Sequence, residues 1–325
     1  MPSMVEGAPG PAAPPPATPD QVRGRRLHCC AGEEPWLRPD EREVSFEWPI
    51  DLGLTVASHG WAQLAPWRWD TESGCLARRE HLGKRVVEVI VSQRAPAALD
   101  VTAAGADETE MAEIRRRVRR WVSAGWDPAP AIAALRRTMP AEAALIARGG
   151  GRILRCSTCY EDFVKTVLTI NISWSASLRM SGALVAEPGG GAFPDPLAML
   201  NYGEGRLRDE ARLGFRAKTV IAATRRMLDD GIIDAHGNEA SQAPDYDYLM
   251  SLKGIGPYAA AHCALLLHDF RRIPVDTVAV AHLRERHGVG PDEFAARHAA
   301  CGDYLGLGYR LTRLSEKLAA TAAAG

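Results

Sequence analysis

Between residues 42 and 104, apolar and polar residues alternate with a period near two, which is the pattern of half-buried β-strands. The runs that show it cover residues 44–48, 85–91 and 98–102. They are rich in β-branched and aromatic residues and are separated by Gly, Ser and Pro. This pattern predicts a small antiparallel β subdomain over residues 41–104.

After residue 105 the apolar positions recur at helical spacing. Segments of this kind cover residues 108–122, 130–137, 160–185, 215–228, 246–253 and 311–320, and we expect further helices after Gly256 and after Asp276. Residues 1–40 are rich in Pro and Ala and cannot bury enough apolar surface to fold alone. We therefore predict a mainly α-helical protein with a disordered tail over 1–40, the β subdomain over 41–104 and a helical domain over 105–325.

Composition narrows the class of protein. The chain has 325 residues, of which 46% are hydrophobic and 24% charged, so it can bury a substantial core. Its net charge of −1 gives no overall basic signature, so any nucleic-acid binding has to come from a local patch and from backbone amides. No apolar run approaches the ~18 residues of a membrane span. Together with the absence of a secretory signal and the Ala- and Arg-rich composition, this indicates a cytoplasmic bacterial protein.

The seven cysteines are expected to be free thiols in a reducing cytoplasm. Cys156 and Cys159 have the spacing of half a metal site or of a redox pair. No second cysteine pair or histidine cluster completes a metal site in the sequence. A thiol-based redox protein using these two residues is the weakest functional alternative.

The segment most informative about function is Leu252–Tyr258, which reads LKGIGPY. Its Gly-x-Gly turn joins two predicted helices, and Pro257 suits the first position of the second helix because its missing amide would have had no partner there. Such a hairpin turns backbone N–H groups toward a ligand at the helix N-terminus, where a phosphate is favoured. Asp276 follows one helix later, at the start of another helix. The arrangement predicts a grip on a nucleic-acid backbone with one carboxylate beside it.

These residues resemble the helix-hairpin-helix DNA glycosylases, in which an L-x-G-[VI]-G hairpin is followed one helix later by [VP]-D at the catalytic position. Gly254, Ile255 and Gly256 fall on the hairpin, and Asp276 falls on the catalytic aspartate. The segment 213–218, LGFRAK, is similar to the family's L-G-[FY]-R-x-[RK] motif. The resemblance runs from residue 45 to residue 320 and is strongest from 150 to 285.

The resemblance implies roles for the residues around the hairpin. Asp276 would stabilise the oxocarbenium-like sugar of the transition state and help to deprotonate water. The alternative role for Asp276 is that of a helix cap alone. Tyr258 stands where bifunctional members carry the lysine that forms a Schiff base, and a phenol cannot form that imine. We therefore expect a glycosylase without lyase activity. His262 shares a helix face with Tyr258 and would line the base pocket, unless it is an ordinary core histidine.

Other matching residues would contact DNA. Asn171 aligns with the loop whose asparagine fills the gap left by a flipped base, although an ordinary helix-end amide explains it equally well. Arg216 and Lys218 would touch phosphate, although a solvated helix start explains them equally well. Thr277 and the hairpin residues Gly254, Ile255 and Gly256 would also contact the DNA backbone. The hairpin carbonyls that could hold a monovalent cation are those of Met250, Leu252 and Ile255. We expect neither a catalytic metal nor an iron–sulfur cluster, since only Cys301 lies near the C-terminus.

The sequence therefore predicts a monomeric, nucleoid-associated enzyme that flips a damaged base out of double-stranded DNA and hydrolyses its N-glycosidic bond. An aromatic pocket suits cationic bases, so alkylated purines such as 3-methyladenine are the first candidates. The alternatives are 8-oxoguanine, a mismatched base, and a non-catalytic helix-hairpin-helix DNA-binding protein. Val278 replaces a phosphate-contacting histidine of the 8-oxoguanine enzymes, which argues against that substrate. A pure DNA-binding protein has no need for a carboxylate facing the phosphates.

Overall fold

The computed structural model describes residues 42–240 and 242–324, so the predicted tail over 1–40 lies outside the described residues. Five strands form one antiparallel sheet with the order β1-β5-β4-β3-β2. The strands are β1 (Glu43–Ser45), β2 (Trp67–Asp70), β3 (Cys75–Leu82), β4 (Arg85–Ala95) and β5 (Ala98–Ala103). The predicted antiparallel sheet is confirmed, and two strands join it that the sequence did not reveal.

Buried charges explain why the strand β3 was missed. Its charged residues Arg78 and Glu80 are buried, as are its apolar residues, so apolar and polar positions do not alternate in the sequence. Arg78 pairs with Glu80 and, at 2.8 Å, with Glu161 of the helical region. The paired charges are hidden inside the protein, where a hydrophobicity pattern cannot find them.

The remaining described residues are mainly helical, and the fold matches the predicted class. Fourteen α-helices are present in this part of the chain. They are α1 (Leu52–Ala57), α2 (Glu108–Trp121), α3 (Ala129–Leu135), α4 (Pro140–Ala147), α5 (Cys159–Leu168), α6 (Trp174–Ala186), α7 (Pro196–Tyr202), α8 (Glu204–Asp209), α9 (Arg216–Asp229), α10 (Tyr246–Ser251), α11 (Pro257–Leu266), α12 (Thr277–His287), α13 (Pro291–Arg297) and α14 (Leu305–Ala324). Short 3₁₀ helices cover Gly60–Gln63 and Ala299–Tyr304.

The helical pattern over residues 160–185 breaks into two helices, α5 and α6. Asn171 between them adopts a left-handed backbone with φ of 47°, and Ser173 caps α6 by accepting from the amide of Ala176. The apolar residues Ile170 and Ile172 continue the helical spacing through the break. Periodicity alone therefore predicted one helix, whereas the chain forms a turn that carries Asn171.

Two clusters of buried residues form the core of the described chain. The first contains the sheet, the helices α2–α4 and residues from Leu265 to Leu314, and the second contains residues from Cys159 to Cys263. Trp67 of the sheet packs edge-on against Trp121 of α2, with ring centroids 4.9 Å apart. The sheet thus shares its core with helices from both ends of the helical region. Along the chain, the change from one core to the other falls between residues 156 and 159 and again between residues 263 and 265.

The cysteines require one correction. Cys75 is disulfide-bonded, so the expectation of free thiols throughout the chain is wrong at this residue. Cys156, Cys159, Cys263 and Cys301 are buried free thiols. Burial raises the pKa of the Cys156 thiol well above its usual range, which is unfavourable for a redox nucleophile.

No helix of the described residues has the length and apolar character needed to cross a membrane.

Candidate active site

The hairpin between α10 and α11 is held open by Gly254. Its φ is +89°, a conformation that residues with a Cβ rarely adopt. A Cβ at this position would lie 2.6 Å from Oγ1 of Thr219 on α9. Ile255 is buried, and its amide donates to the carbonyl of Leu252 at 3.1 Å. The hairpin therefore packs tightly against α9 and has one defined conformation.

The N-terminus of α11 offers backbone donors. Gly256 is its cap and provides no side-chain acceptor, and Pro257 follows at the first helical position. The first amides of a helix have no partner inside the helix, so here they point out of the uncapped end toward an incoming ligand. Lys218, next to Thr219 in the chain, and Lys253, next to Gly254, are both exposed. This end of α11 has the donors and the charge that a phosphate requires.

Asp276 caps α12 and is half-buried. Its Oδ1 accepts a hydrogen bond from the amide of Ala279 at 2.7 Å. The negative charge of Asp276 contributes to raising the pKa of Tyr258, after burial, and it attracts Arg310. The side chain is thus a helix cap whose negative charge also acts on Tyr258 in the first turn of α11. Thr277 follows it as an exposed residue in the first turn of α12.

Aromatic and imidazole rings cluster behind this carboxylate. The ring of His262 lies 4.9 Å from Trp61, 5.8 Å from His59 and 6.0 Å from Tyr258. Trp61 donates through its indole N–H to Asp162 at 3.0 Å. The ring of His59 is held by a hydrogen bond between its Nε2 and the carbonyl of Leu154, at 2.6 Å. These contacts fix the rings from the 3₁₀ helix Gly60–Gln63 against α11.

His262 is only 4% exposed, yet both of its ring nitrogens lack a hydrogen-bond partner. Burial lowers its pKa well below the usual value, and the charges of Arg310 and His59 lower it further. The imidazole is therefore neutral at pH 7, with one donor and one acceptor unused. Buried polar atoms without partners are rare, and here they face the ring cluster.

Arg310 adds a half-buried cation to the same region. It is placed on α14, its Nε has no partner, and burial lowers its pKa. Its charge lowers the pKa of His59 as well as that of His262. A cavity of 430 Å³, lined among others by His59, Gly60 and Arg310, opens beside it. The site thus combines neutral rings with the carboxylate of Asp276 and the guanidinium of Arg310.

The loop with Asn171 lies against this region through Thr169, whose hydroxyl is 3.3 Å from the Tyr258 hydroxyl. Asn171 itself is exposed. Arg216 is 4% exposed and donates to the carbonyls of Ile170 and Asn171. This differs from the phosphate contact expected for Arg216, because its guanidinium stabilises the loop.

The structure brings together most of the predicted residues, and it adds others that the sequence did not reveal. Tyr258, His262 and Asp276 surround one region, with the hairpin at its edge. His59 and Arg310 were missed because no motif marks them and because they come from opposite ends of the described chain. The carbonyl of Leu252, which was predicted as a ligand of a monovalent cation, already accepts a hydrogen bond from the amide of Ile255. That cation site stays a prediction.

Several solved structures to which this chain is similar in fold are DNA glycosylases. The 3-methyladenine DNA glycosylase from Archaeoglobus fulgidus matches with a TM-score of 0.60 and 17% identity, over 83% of this chain and 96% of that chain. MBOgg1 in complex with a low-affinity DNA ligand matches with a TM-score of 0.62 and 20% identity, over 85% of this chain and 96% of that chain. The apo-form of a Clostridium acetobutylicum 8-oxoguanine glycosylase/lyase matches with a TM-score of 0.60 and 16% identity, over 82% of this chain and 92% of that chain. No protein-family model and no curated protein matches the chain. The likeness confirms the predicted helix-hairpin-helix glycosylase fold.

Proposed function

We propose that this chain, which has the fold of DNA glycosylases, is a base-excision DNA glycosylase. One observation carries the proposal: Asp276 is half-buried at the start of α12, and its negative charge acts on both Tyr258 and Arg310. A helix cap alone would not require buried rings and a half-buried cation around it. A carboxylate that stabilises a cationic sugar beside a base pocket requires both a fixed position and a place for the base.

In the proposed reaction, double-stranded DNA binds with one phosphate at the uncapped end of α11. The damaged nucleotide rotates out of the duplex, and its base enters the region of the ring cluster. Asn171 fills part of the gap, which offsets some of the lost stacking. As the glycosidic bond lengthens, the carboxylate of Asp276 stabilises positive charge on the sugar and orients the attacking water. The products are a free base and an abasic site.

We propose that the enzyme has no lyase activity. Tyr258 stands at the position of the Schiff-base lysine, and its hydroxyl contacts Thr169. Lys165, which is fully buried, is paired with Glu161 at 2.9 Å. The Lys165 amino group is thus engaged by a buried carboxylate and is not free to attack a sugar carbon. Water is therefore the nucleophile in this proposal.

For the substrate, the ring cluster supports an alkylated purine such as 3-methyladenine, because electron-rich ring faces attract an electron-poor base. Arg310 supports the second candidate, 8-oxoguanine or another neutral base. A guanidinium repels a cationic base and donates to carbonyl acceptors. The two candidates differ in charge, so they respond oppositely to the removal of Arg310. The variant Arg310→Met should favour the cationic base and weaken excision of the neutral one.

The test incubates the full chain with duplexes that each carry one defined lesion, and abasic sites are scored after alkali. The matched control is Asp276→Asn, which retains the helix cap. We expect base release by the wild type, no strand cutting before alkali, and a loss of release on the order of 10²–10³-fold in the variant. DNA binding without base release in both proteins would instead identify a non-catalytic binding protein. Strand cutting without alkali would overturn the assignment of Tyr258.

A further inference from the structure

We propose that His282, His287 and Glu316 form a zinc-binding site that joins α12 to α14. One ligand atom from each residue lies within 4.8 Å of the other two. Two imidazoles and one carboxylate are ligands that Zn²⁺ prefers. The site opens on the 430 Å³ cavity that His59 and Arg310 also line, but its three ligands are none of the residues proposed to bind or release the base, and it does not depend on the proposed function.

Glu316 stands between the two histidines. Its Oε2 lies 2.9 Å from Nε2 of His282, and its Oε1 lies 3.0 Å from Nε2 of His287. The two imidazole rings have centroids 5.3 Å apart. A tetrahedral zinc ion places its ligand atoms roughly 3.3 Å from one another, given metal–ligand distances of about 2.0–2.1 Å. Small side-chain rotations therefore reach the ligand geometry without movement of either helix.

Tyr309 and Glu316 hold the ring of His282 from its two nitrogens. The Tyr309 hydroxyl lies 3.4 Å from Nδ1 of His282 and 3.5 Å from the carbonyl of Ala279, and Nε2 of His282 lies 2.9 Å from Oε2 of Glu316. Metal-binding histidines are usually oriented by a hydrogen bond at the ring nitrogen that does not bind the metal. Tyr309 occupies that position here, so Nε2 is the nitrogen that faces the proposed ion.

The second histidine gives an independent observation. Nε2 of His287 is buried and has no hydrogen-bond partner, even though a carboxylate oxygen lies 3.0 Å away. The two atoms are close without the alignment of a hydrogen bond. A metal ion between them would satisfy the nitrogen, because coordination uses its lone pair rather than an N–H.

The surroundings admit a cation. His287 is the last residue of α12, where the helix dipole favours positive charge. Arg286 lies 3.5 Å from Glu316 through its Nε, but its side chain is 60% exposed and can turn into solvent when a metal ion binds. His282 and Glu316 also line the 430 Å³ cavity, so water can supply the remaining ligand. Zinc here would fasten the C-terminal end of the helix that begins at Asp276.

The experiment is a titration of the full chain, purified without a histidine tag, with Co²⁺ as a coloured stand-in for Zn²⁺. Visible absorption reports four-coordinate Co²⁺, and displacement by Zn²⁺ gives the zinc affinity. The variants are His287→Ala and Glu316→Gln, and the control is His236→Ala, which removes an exposed histidine elsewhere. Circular dichroism and metal-free melting temperatures verify that each variant folds.

We expect one ion per chain in the wild type, with no thiolate charge-transfer band. The two ligand variants should each bind at least about tenfold more weakly, and the control should bind unchanged. Zn²⁺ should raise the melting temperature of the wild type and the control only. Three outcomes would overturn the site: equal binding by the wild type and His287→Ala, a thiolate band, or no saturable binding. His282, His287 and Glu316 would then be only an ion-pair cluster.

Discussion

Asp276 accepts a hydrogen bond from the amide of Ala279 at 2.7 Å, so one side chain both caps its helix and presents the proposed catalytic carboxylate. The two roles are separable by substitution, because asparagine caps a helix about as well as aspartate does but carries no charge.

Asp276→Asn should keep the stability of the wild type and lose base excision by on the order of 10²–10³-fold. Asp276→Ala should lose the same activity and, in addition, about 1 kcal/mol of stability. Single-turnover excision and urea unfolding measure the two effects. Full activity in Asp276→Asn would reduce Asp276 to a cap.

His262→Phe should keep the shape of the ring cluster but remove two buried nitrogens that have no partner. Stability should stay equal or rise, because a buried unsatisfied polar atom is costly. Excision should fall about tenfold if a nitrogen of His262 bonds the flipped base. His236→Phe, at an exposed position, is the control. Unchanged excision would make His262 a core residue only.

Gly254→Ala should destabilise the hairpin by about 1–3 kcal/mol, since φ is +89° and the new Cβ meets Thr219 at 2.6 Å. The affinity of Gly254→Ala for undamaged duplex DNA should also fall, because the amides at the start of α11 are displaced in this variant. Gly205→Ala, in open space on a helix, serves as the control and should be neutral or stabilising. Retained DNA affinity in Gly254→Ala would contradict a phosphate-binding hairpin.

Glu161→Gln should cost about 3–5 kcal/mol, because it leaves the buried cations Arg78 and Lys165 without their shared carboxylate. Those two cations hold the pKa of Glu161 at about 2 against the effect of burial. Glu293→Gln removes an exposed ion pair with Arg297 and should change stability by less than about 0.5 kcal/mol. Urea unfolding compares the two. Equal small effects would mean that the cluster around Arg78 is hydrated.

Stability should decrease as the pH falls below 6.5. Burial, aided by the charge of Arg310 for His59 and of Arg155 for His268, lowers the pKa of each imidazole to about 3. The unfolded chain takes up protons below pH 6.5 while the folded chain does not, so the unfolding free energy drops by about 1.4 kcal/mol per pH unit for each histidine. The loss ends near pH 3.

Urea unfolding at pH 7, 6 and 5 measures this slope before acidic residues with lowered pKa begin to contribute. His268→Asn should flatten it. A stability that is constant from pH 7 to pH 5 would show that these imidazoles are accessible to water in the folded protein.

The sequence by itself determined the local chemistry. The Gly-x-Gly turn, Pro257 and the carboxylate at a helix start are decided within a few residues, because backbone conformation and capping are short-range effects. The antiparallel sheet and most helices followed from periodicity for the same reason. Strand β3 and the break at Asn171 did not, since their burial and backbone conformation depend on distant partners such as Glu161 and Arg216.

Only the tertiary structure decided what surrounds the carboxylate. His59, Trp61 and Arg310 lie far from the hairpin in sequence and reach its neighbourhood because the sheet subdomain and α14 share a core. The histidine pair of α12 met Glu316 in the same way. Contacts of this kind depend on how whole elements pack, and no local pattern of residues encodes them.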